Sequence, residues 1–359
     1  MICMQEKSRE RNSNLELYRI IVMLLIVAHH YVVNSGLYEQ MQSSPLAANS
    51  VFLYLLGMWG KTGIDCFVLI TGYFMCKSTA TVSKFLKLLF EVMFYKILIY
   101  LVFVSTGIVA FSFTDFARAL VPISNVSDGF TTGFILFYLF IPFINILINN
   151  IGKLLHRKLI IVCLFIYTFW YMFPGIRVSY NYVTWFIVLY LLSSYIRLYP
   201  LTRLKTKHWG LLSLLLVCIS SASVMALRYM EYGNPFFFVS DSNAILALLT
   251  SLSSFMYFKD LKIRQSKYIN TIAASCFGVL LIHANSDAMR QWLWRDTLHN
   301  VDYLDSPYCA LHAIISTLLV YVICTLIDIM RIRFIERPFF ESALFSMMES
   351  KIGRLLHIK

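Results

Sequence analysis

Long apolar stretches separated by short polar segments follow one another along the whole chain. Each stretch is close to the roughly 20 residues that an α-helix needs to cross a bilayer. The pattern therefore predicts an all-α, polytopic membrane protein with about ten transmembrane helices. The predicted spans are residues 15–33, 50–75, 85–109, 130–148, 158–173, 183–199, 209–228, 241–258, 269–286 and 308–330.

Basic residues are concentrated in alternate connecting segments, and this distribution predicts the orientation of the chain. Most of the 31 lysines and arginines fall on one side of the predicted bundle, although Lys61 and Lys96 lie within spans. Because positively charged loops stay in the cytoplasm, both termini are expected there. The first apolar stretch is too long for a cleavable signal and lacks a small-residue cleavage site. We divide the chain into a cytoplasmic N-terminal segment at 1–14, a transmembrane domain at 15–335 and an interfacial amphipathic helix at 336–359.

Composition supports the membrane assignment and excludes several classes of function. The 359 residues are 59% hydrophobic and only 14% charged, whereas about a quarter of the residues in a soluble domain are charged. The net charge of +12 follows the membrane topology and forms no basic patch, so nucleic acid is not an expected partner. The eight cysteines show no CxxC spacing, and the chain lacks Walker and HExxH motifs. We expect neither a metal cofactor nor nucleotide hydrolysis.

The first predicted span carries three ionisable side chains, Arg19 near its start and His29 and His30 near its end. Ionisable residues inside a membrane span are costly and by default mark a functional pathway. Arg19 and His30 are 11 positions apart. This spacing places them within about 20° on one helical stripe and roughly 16 Å apart along the axis. His29 falls on a different stripe, so helical phase singles out His30.

Other polar residues within the predicted spans allow more than one reading. Lys61 and Asp65 are four positions apart and share one face of the second span. They form either an ion pair that neutralises both charges, or a site in which Asp65 orients a histidine and raises its basicity. His283, near the end of the ninth span, is either a structural hydrogen-bonding residue or part of the site. A histidine with an acidic neighbour fits general-base catalysis, which suits acyl transfer to a hydroxyl.

The segment at 287–307, on the predicted outer side, is rich in aromatic and acidic residues, including Trp292, Trp294 and Tyr303. Such residues suit sugar binding, and they equally suit an aromatic belt at the membrane interface. Arg290 and Arg295 in the same region either bind an anionic acceptor or are solvated.

Several motifs of the chain resemble those of acyltransferase family 3, the multi-spanning membrane O-acyltransferases of bacterial surface glycans. The first motif is an arginine followed by ten residues and a histidine, here Arg19 and His30. The other motifs are GIDCFVLITGYF at 63–74, PISN at 122–125, IPFIN at 141–145, WFIVLYLLSSYIRLY at 185–199, FGVLLIH at 277–283 and ERP at 336–338. The resemblance extends over almost the whole chain.

This resemblance implies a donor and an acceptor. The donor would be a cytoplasmic acyl-CoA, most often acetyl-CoA, with Arg19, Lys84 and Lys87 near its phosphates. Its pantetheine arm would follow the stripe from Arg19 to His30. The acceptor would be a surface glycan or a lipid-linked sugar, and the protein would lie among the lipids of a bacterial plasma membrane.

The resemblance also implies roles for individual side chains. His30 would be the general base, with Asp65 as its orienting group. Lys61 or Trp185 would donate a hydrogen bond to the tetrahedral oxyanion, and His283 would belong to the substrate-binding residues.

Two other functions use the same polar residues without acyl chemistry. The first is transport of a small solute or an acyl intermediate, and the second is a membrane sensor or partner-binding protein. Transporters are commonly built from broken helices and internal repeats, and the sequence shows no internal repeat.

Overall fold

The computed structural model describes residues 12–123, 129–173, 175–200 and 204–355. Parts of the predicted terminal segments, 1–11 and 356–359, therefore lie outside the described residues. The same holds for the second half of the PISN motif, and for the side chains of Leu344 and residues 352–355.

The described chain is helical throughout and has no β-strand, which confirms the all-α prediction. Its α-helices are α1 (Ser13–Val33), α2 (Leu37–Met41), α3 (Ala48–Gly57), α4 (Gly60–Met75), α5 (Val82–Ser105), α6 (Phe113–Leu120), α7 (Phe130–Asn150), α8 (Gly152–Leu164), α9 (Tyr182–Leu198), α10 (Thr206–Tyr229), α11 (Ile245–Asp260), α12 (Lys267–Ala274), α13 (Cys276–His283), α14 (Asp287–Gln291), α15 (Cys309–Arg331), α16 (Arg337–Phe340) and α17 (Ala343–Leu355). Wider π-helical turns occur at Phe165–Phe169, Trp292–Thr297 and Ile332–Glu336, and 3₁₀ turns at Trp170–Met172 and Asn300–Tyr303.

Several of these helices are long and apolar enough to cross a membrane, so the protein is a polytopic membrane protein. Seven stretches of the described chain pass this test: Ser13–Val33, Ala48–Met75, Val82–Ser105, Phe130–Asn150, Gly152–Met172, Thr206–Tyr229 and Cys309–Phe340. The bent pair Lys267–His283 and Asp287–Thr297 makes eight if it counts as one span. Helices α9 and α11 coincide with the two remaining predicted spans but have only 17 and 16 residues. The count of ten and the cytoplasmic termini stay predictions.

Hydrogen bonds between helix ends define two ends of the bundle. At the end where α1 begins, Ser13 Oγ donates to Gln265 Oε1 at 2.7 Å, and Arg197 Nη1 donates to Tyr73 Oη at 2.7 Å. We call this the Arg19 end. At the opposite end, Asn300 Nδ2 donates to Tyr31 O at 3.0 Å, and Asn49 Nδ2 donates to Leu304 O at 2.7 Å. We call this the His30 end.

Helix α1 is central and packs against α3, α4, α11, α12, α13 and α15. Glycines on α3 and α4 let it approach closely. A Cβ atom at Gly57 would lie 2.9 Å from Val32 Cβ, and one at Gly63 would lie 2.7 Å from Ile26 Cγ1. Real side chains do not pack at such distances, so α1 can lie where it does only because these positions carry glycine.

Two predicted spans contain a local break between two helices, although Ala48–Met75 still passes as one candidate span. The second span divides into α3 and α4 at Met58–Trp59, next to the point where Gly57 O accepts a hydrogen bond from His29 Nδ1. A side chain thus satisfies a carbonyl group that the end of α3 leaves unpaired. The ninth span divides into α12 and α13 at Ser275, and beyond His283 the chain bends by 96° into α14.

A buried arginine ties the last long helix to α5 at the Arg19 end. Arg331 Nε donates to Asp328 Oδ1 at 2.8 Å, and its Nη1 donates to Glu336 Oε2 at 2.6 Å. Its Nη2 lies 3.1 Å from Glu91 Oε1, and Tyr95 Oη donates to Asp328 Oδ1 at 2.7 Å. The ERP motif therefore includes a carboxylate that compensates a buried charge.

The C-terminal segment, predicted as one amphipathic helix over 336–359, contains the two helices α16 and α17 with a break at Glu341 and Ser342. Phe340 packs against Phe345 with ring centroids 4.4 Å apart, and Phe339 stacks on Phe90 of α5 at 5.1 Å. These contacts hold the segment against the bundle. Its location at the membrane surface stays a prediction.

The Arg331 cluster predicts a large loss of stability when its single cation is removed. Arg331→Met leaves three carboxylates around an apolar side chain, and breaking a buried ion pair in this way costs about 3–5 kcal/mol. We expect a clear fall in the thermal unfolding midpoint of the purified protein in detergent. Arg333→Met, which removes an exposed arginine two residues further on, is the matched control and should change the midpoint little. Equal effects of the two substitutions would contradict the assignment.

Candidate functional site

Two histidines from different helices meet at the His30 end. His30, three residues before the end of α1, places Nδ1 2.8 Å from Nε2 of His283, the last residue of α13. His283 is fully buried, and its Nδ1 lies 2.6 Å from Val279 O one turn earlier on the same helix. The sequence left open whether His283 is structural or part of the site. The structure places it in direct contact with His30.

The hydrogen bonds assign a tautomer to each neutral ring. Because Val279 O can only accept, His283 must carry its proton on Nδ1, and its Nε2 is then an acceptor. His30 therefore donates from Nδ1, which leaves Nε2 of His30 unprotonated. No described residue forms a hydrogen bond with that Nε2, so its lone pair is available to a ligand.

His30 lines a cavity of about 420 Å³ between α1, α4, α5, α7, α9, α13 and α14. This volume is within the range of small-molecule sites. The residues that line it are Met23, Ile26, His29, His30, Gly60, Lys61, Ile64, Phe67, Lys96, Gly129, Phe130, Thr131, Thr132, Tyr182, Leu280, Leu281, Ala284, Asn285 and Arg290. We call it the central cavity.

The predicted stripe of α1 faces this cavity over most of its length. Met23, Ile26 and His30 line it, but Arg19, one turn before Met23, does not. The guanidinium carbon of Arg19 lies 5.8 Å from the ring centroid of Phe67, and Phe67 itself lines the cavity. Phe67 therefore lies next to both Arg19 and the central cavity.

Phe67 belongs to a cluster of rings that we call the phenylalanine layer. Its ring centroid lies 6.1 Å from those of Phe130 and Phe134 and 6.3 Å from that of Phe277. Phe130 and Phe134 stack on each other at 5.7 Å. The layer closes the central cavity on the side of Arg19.

Lys61 and Asp65 do not form the ion pair that their spacing suggested. Lys61 Nζ donates to Tyr182 Oη at 2.7 Å, and Asp65 Oδ1 accepts from Trp185 Nε1 at 2.9 Å. Asp65 is fully buried and does not line the central cavity. It therefore orients a tryptophan on α9, and the group that contacts His30 is His283. The described hydrogen bonds therefore connect Asp65 to Trp185 and not to His30, and the role of Asp65 in catalysis stays a prediction.

The same contacts separate the two candidates for an oxyanion donor. Trp185 gives its only N–H to Asp65 and is fully buried outside the cavity. Lys61 lines the cavity, and its ammonium group donates only one of its three N–H groups to Tyr182. The other two are therefore available to an oxyanion.

The three residues predicted to bind the donor's phosphates each contact other side chains or main-chain groups of the protein. Arg19 Nη1 pairs with Glu16 Oε2 at 2.9 Å. Lys84, which is exposed, donates from Nζ to Ser78 Oγ and Thr79 O, each at 2.9 Å. The Nζ of Lys87 lies 5.2 Å from the ring centroid of Phe340.

His29, which the helical phase set aside, also lines the central cavity. Its Nδ1 donates to Gly57 O, and its ring lies where a Cβ atom at Gly60 would be. It also lines a second cavity of about 220 Å³, together with Lys61 and Tyr38. His29 and Lys61 thus form the wall between the two cavities. The rotation angle alone could not predict this because it places no neighbouring helix.

Two aromatic residues of the 287–307 segment pack against other rings of the protein, and the aromatic belt at the membrane interface stays a prediction. Trp294 is fully buried, with its ring centroid 6.0 Å from Tyr31 and 6.3 Å from His283. Tyr303 stacks on His312 at 3.7 Å. Trp294 therefore packs against His283 of the histidine pair, and because it is fully buried it is not available for sugar stacking.

Lys96 and Tyr182 are cavity residues that the sequence reading did not place at the site. A lysine within a predicted span was the available signal for Lys96. Tyr182 carried no such signal, since a tyrosine at a helix start is common at membrane interfaces. In the described part of the chain, no group of three or more His, Cys, Asp or Glu side chains could hold a metal ion.

A family model described as an acyltransferase domain, that of acyltransferase family 3, matches residues 12–328, nearly the whole chain. Comparisons with curated proteins and with solved structures give no significant match.

The Asp65–Trp185 contact predicts a measurable contribution to stability. Trp185→Phe removes the hydrogen bond that Trp185 Nε1 donates to the fully buried Asp65 carboxylate, and loss of a donor to such a group costs about 1–3 kcal/mol. We expect a lower thermal midpoint in detergent than for Trp294→Phe. That control removes a tryptophan of equal size, also fully buried, whose Nε1 has no hydrogen-bond partner among the described residues. If Trp294→Phe proves the more destabilising of the two, the hydrogen bond does not carry the predicted energy.

Proposed function

Because the chain belongs to acyltransferase family 3 and is a membrane acyltransferase, we propose that it moves an acyl group, an acetyl group in the first instance, from cytoplasmic acyl-CoA to a hydroxyl group. The acceptor in this proposal is a surface glycan or a lipid-linked sugar. The site of action is a bacterial plasma membrane, where the protein is surrounded by lipid.

One observation carries the proposal: the hydrogen-bonded order Val279 O, His283, His30, which leaves Nε2 of His30 unprotonated at the central cavity. General-base catalysis needs a nitrogen in this state within reach of the proton to be removed. The neutral His283 ring then stabilises the imidazolium that forms on His30, because its Nε2 accepts the Nδ1 proton as a charge-assisted hydrogen bond.

The proposed chemical step has two stages. The acceptor oxygen attacks the thioester carbonyl carbon while Nε2 of His30 takes the hydroxyl proton. The carbonyl becomes a tetrahedral oxyanion, to which the ammonium group of Lys61, held by Tyr182, donates a hydrogen bond. The C–S bond then breaks, the thiolate of coenzyme A receives the proton from His30, and the acyl ester and free coenzyme A remain.

The donor in this proposal approaches from the Arg19 end. Lys84 and Lys87 are exposed there, and neither pairs with a carboxylate of the described chain, so both are available to the phosphates. Arg19 lies further in, beside Phe67, where it would contact the pantetheine arm. The arm has to pass the phenylalanine layer before the thioester reaches His30.

The 96° bend after His283 favours a second candidate function, a carrier for a small solute or an acyl intermediate. Transporters build binding sites where helices are interrupted at depth in the membrane. The two functions differ in chemistry, because only an acyltransferase releases free coenzyme A in proportion to the ester formed.

His30→Ala is expected to abolish transfer of labelled acetyl from acetyl-CoA by membranes that contain the protein. Loss of a general base costs about 10²–10⁴-fold in rate, and free thiol release should fall in parallel. The control is His208→Ala, which removes an exposed histidine of α10 that does not line the central cavity. Undiminished transfer by His30→Ala, with normal protein levels in the membrane, would refute the mechanism. Labelled solute uptake without ester formation would favour the carrier.

His283 is a positioning residue in this mechanism, and its substitution separates positioning from packing. His283→Ala removes the acceptor for His30 Nδ1–H, so we expect kcat to fall while KM for acetyl-CoA changes little. His283→Gln offers an amide oxygen at a similar distance from the main chain and should restore part of kcat. A purely structural role predicts parallel losses of stability in both variants and no rescue of kcat by glutamine.

A further inference from the structure

Three cationic side chains line the central cavity, and the proposed chemical step uses only one of them, Lys61. Lys61, Lys96 and Arg290 come from α4, α5 and α14 and line the same space as His30. No aspartate or glutamate is among the described residues that line it. Like charges repel strongly where water is scarce, so this arrangement favours a negatively charged ligand.

None of the three cations forms a buried ion pair with a carboxylate of the described chain, although the charges of Asp241 and Asp65 act on Lys61. Lys61 Nζ bonds to the neutral hydroxyl of Tyr182. Lys96 has no hydrogen bond or ion pair with any described residue. Arg290 Nη1 lies 2.6 Å from Asp287 Oδ1, but the Asp287 side chain is 98% exposed, where an ion pair contributes little. Arg290 Nε is buried and has no hydrogen-bond partner within the described chain.

A neighbouring cavity indicates from which side an anion reaches these cations. This outer cavity, of about 530 Å³, shares Lys96, Thr132 and Asn285 with the central cavity and also includes Asp115, Arg118 and Asp287. It lies at the His30 end, away from the phenylalanine layer. Lys96 lines both cavities and thus lies along the route by which a ligand from that end would reach His30, and Arg290 pairs with Asp287 beside it.

We propose that Lys61, Lys96 and Arg290 bind an anionic group of the acyl acceptor, so that the acceptor is a saccharide carrying a carboxylate or phosphate close to the hydroxyl that is acylated. The inference rests on the proposed function, because it takes the ligand beside His30 to be the acceptor. A carboxylate or phosphate accepts charge-assisted hydrogen bonds from both lysine and arginine. Binding it would also fix the hydroxyl relative to Nε2 of His30.

The phosphates of the donor fit this site less well. In coenzyme A the pantetheine arm separates the phosphates from the thioester, and the cavity has only the volume of one small-molecule site. With the thioester beside His30, the nucleotide would lie beyond the phenylalanine layer, near the Arg19 end. The cations beside His30 are therefore left for the acceptor.

The test compares two sugars that differ only at C6, methyl glucuronide with a carboxylate there and methyl glucoside with a hydroxymethyl group, and uses the purified full chain in nanodiscs. Calorimetry measures the binding of each sugar, and a labelled acetyl-CoA assay measures transfer to each. Both are repeated with Lys96→Met, which removes one cation without touching the histidine pair. Lys207→Met, at an exposed position near the start of α10, is the matched control.

We expect the wild type to bind the glucuronide at least tenfold more tightly than the glucoside, and Lys96→Met to lose about tenfold of that preference, as for a lost charge-assisted hydrogen bond. Lys207→Met should retain the preference. Equal binding of the two sugars, no binding of the glucuronide, or a preference unaffected by Lys96→Met would overturn the inference.

Two further outcomes distinguish failure of the acceptor inference from failure of the proposed function. If Lys96→Met reduces transfer from succinyl-CoA but not from acetyl-CoA, the cations bind an anionic acyl chain and the acceptor inference is wrong. If the glucuronide binds with the expected Lys96 dependence but no His30-dependent acetyl transfer occurs to either sugar, the proposed function fails while the anion site stands.

Discussion

An ionisable group inside a membrane has to find its partner within the protein, because the bilayer supplies no water. Most of the structure obeys this constraint: Arg331 lies among carboxylates, Asp65 accepts from Trp185, and His283 bonds to a main-chain carbonyl. Within the described chain, Nε2 of His30 and the ammonium of Lys96 have no such partner, and both line the central cavity. Other buried atoms away from the cavity, such as Asp65 Oδ2 and His156 Nδ1, also lack a hydrogen bond. Satisfied polar groups thus join the helices, and two of the unsatisfied ones lie where a ligand can complete them.

The interrupted ninth span explains how so many groups reach one cavity. A straight helix would present only one of its faces there. Because α13 ends at His283 and the chain turns by 96°, Leu280 and Leu281 line the cavity from one helix and Arg290 from the next. The end of α13 also sets the height of His283, which therefore meets His30 near the end of α1. The end of α13 at the bend is therefore what places His283 in contact with His30.

The sequence predicted the helical class, the approximate position of most spans and the stripe of α1 that faces the cavity. These features depend on local periodicity, which a single helix carries in its own residues. The partner of His30 was not predictable in the same way: the i to i+4 spacing favoured Lys61 with Asp65, yet each bonds to a residue of α9, more than a hundred positions away. The breaks at Met58–Trp59 and Ser275 were missed because apolar residues continue through them. In both cases tertiary packing decided between arrangements that the local pattern allows equally.

The phenylalanine layer has an electrical consequence. A continuous polar passage from Arg19 to His30 would let protons or small ions run down the membrane voltage, which is worth about 2.3 kcal/mol for each charge per 100 mV. A constriction of apolar rings resists wetting and so conducts ions poorly. Phe67 and its neighbours occupy that position. In the proposed function, the layer lets a donor and an acceptor from the two faces of the membrane meet while it limits ion flow between those faces.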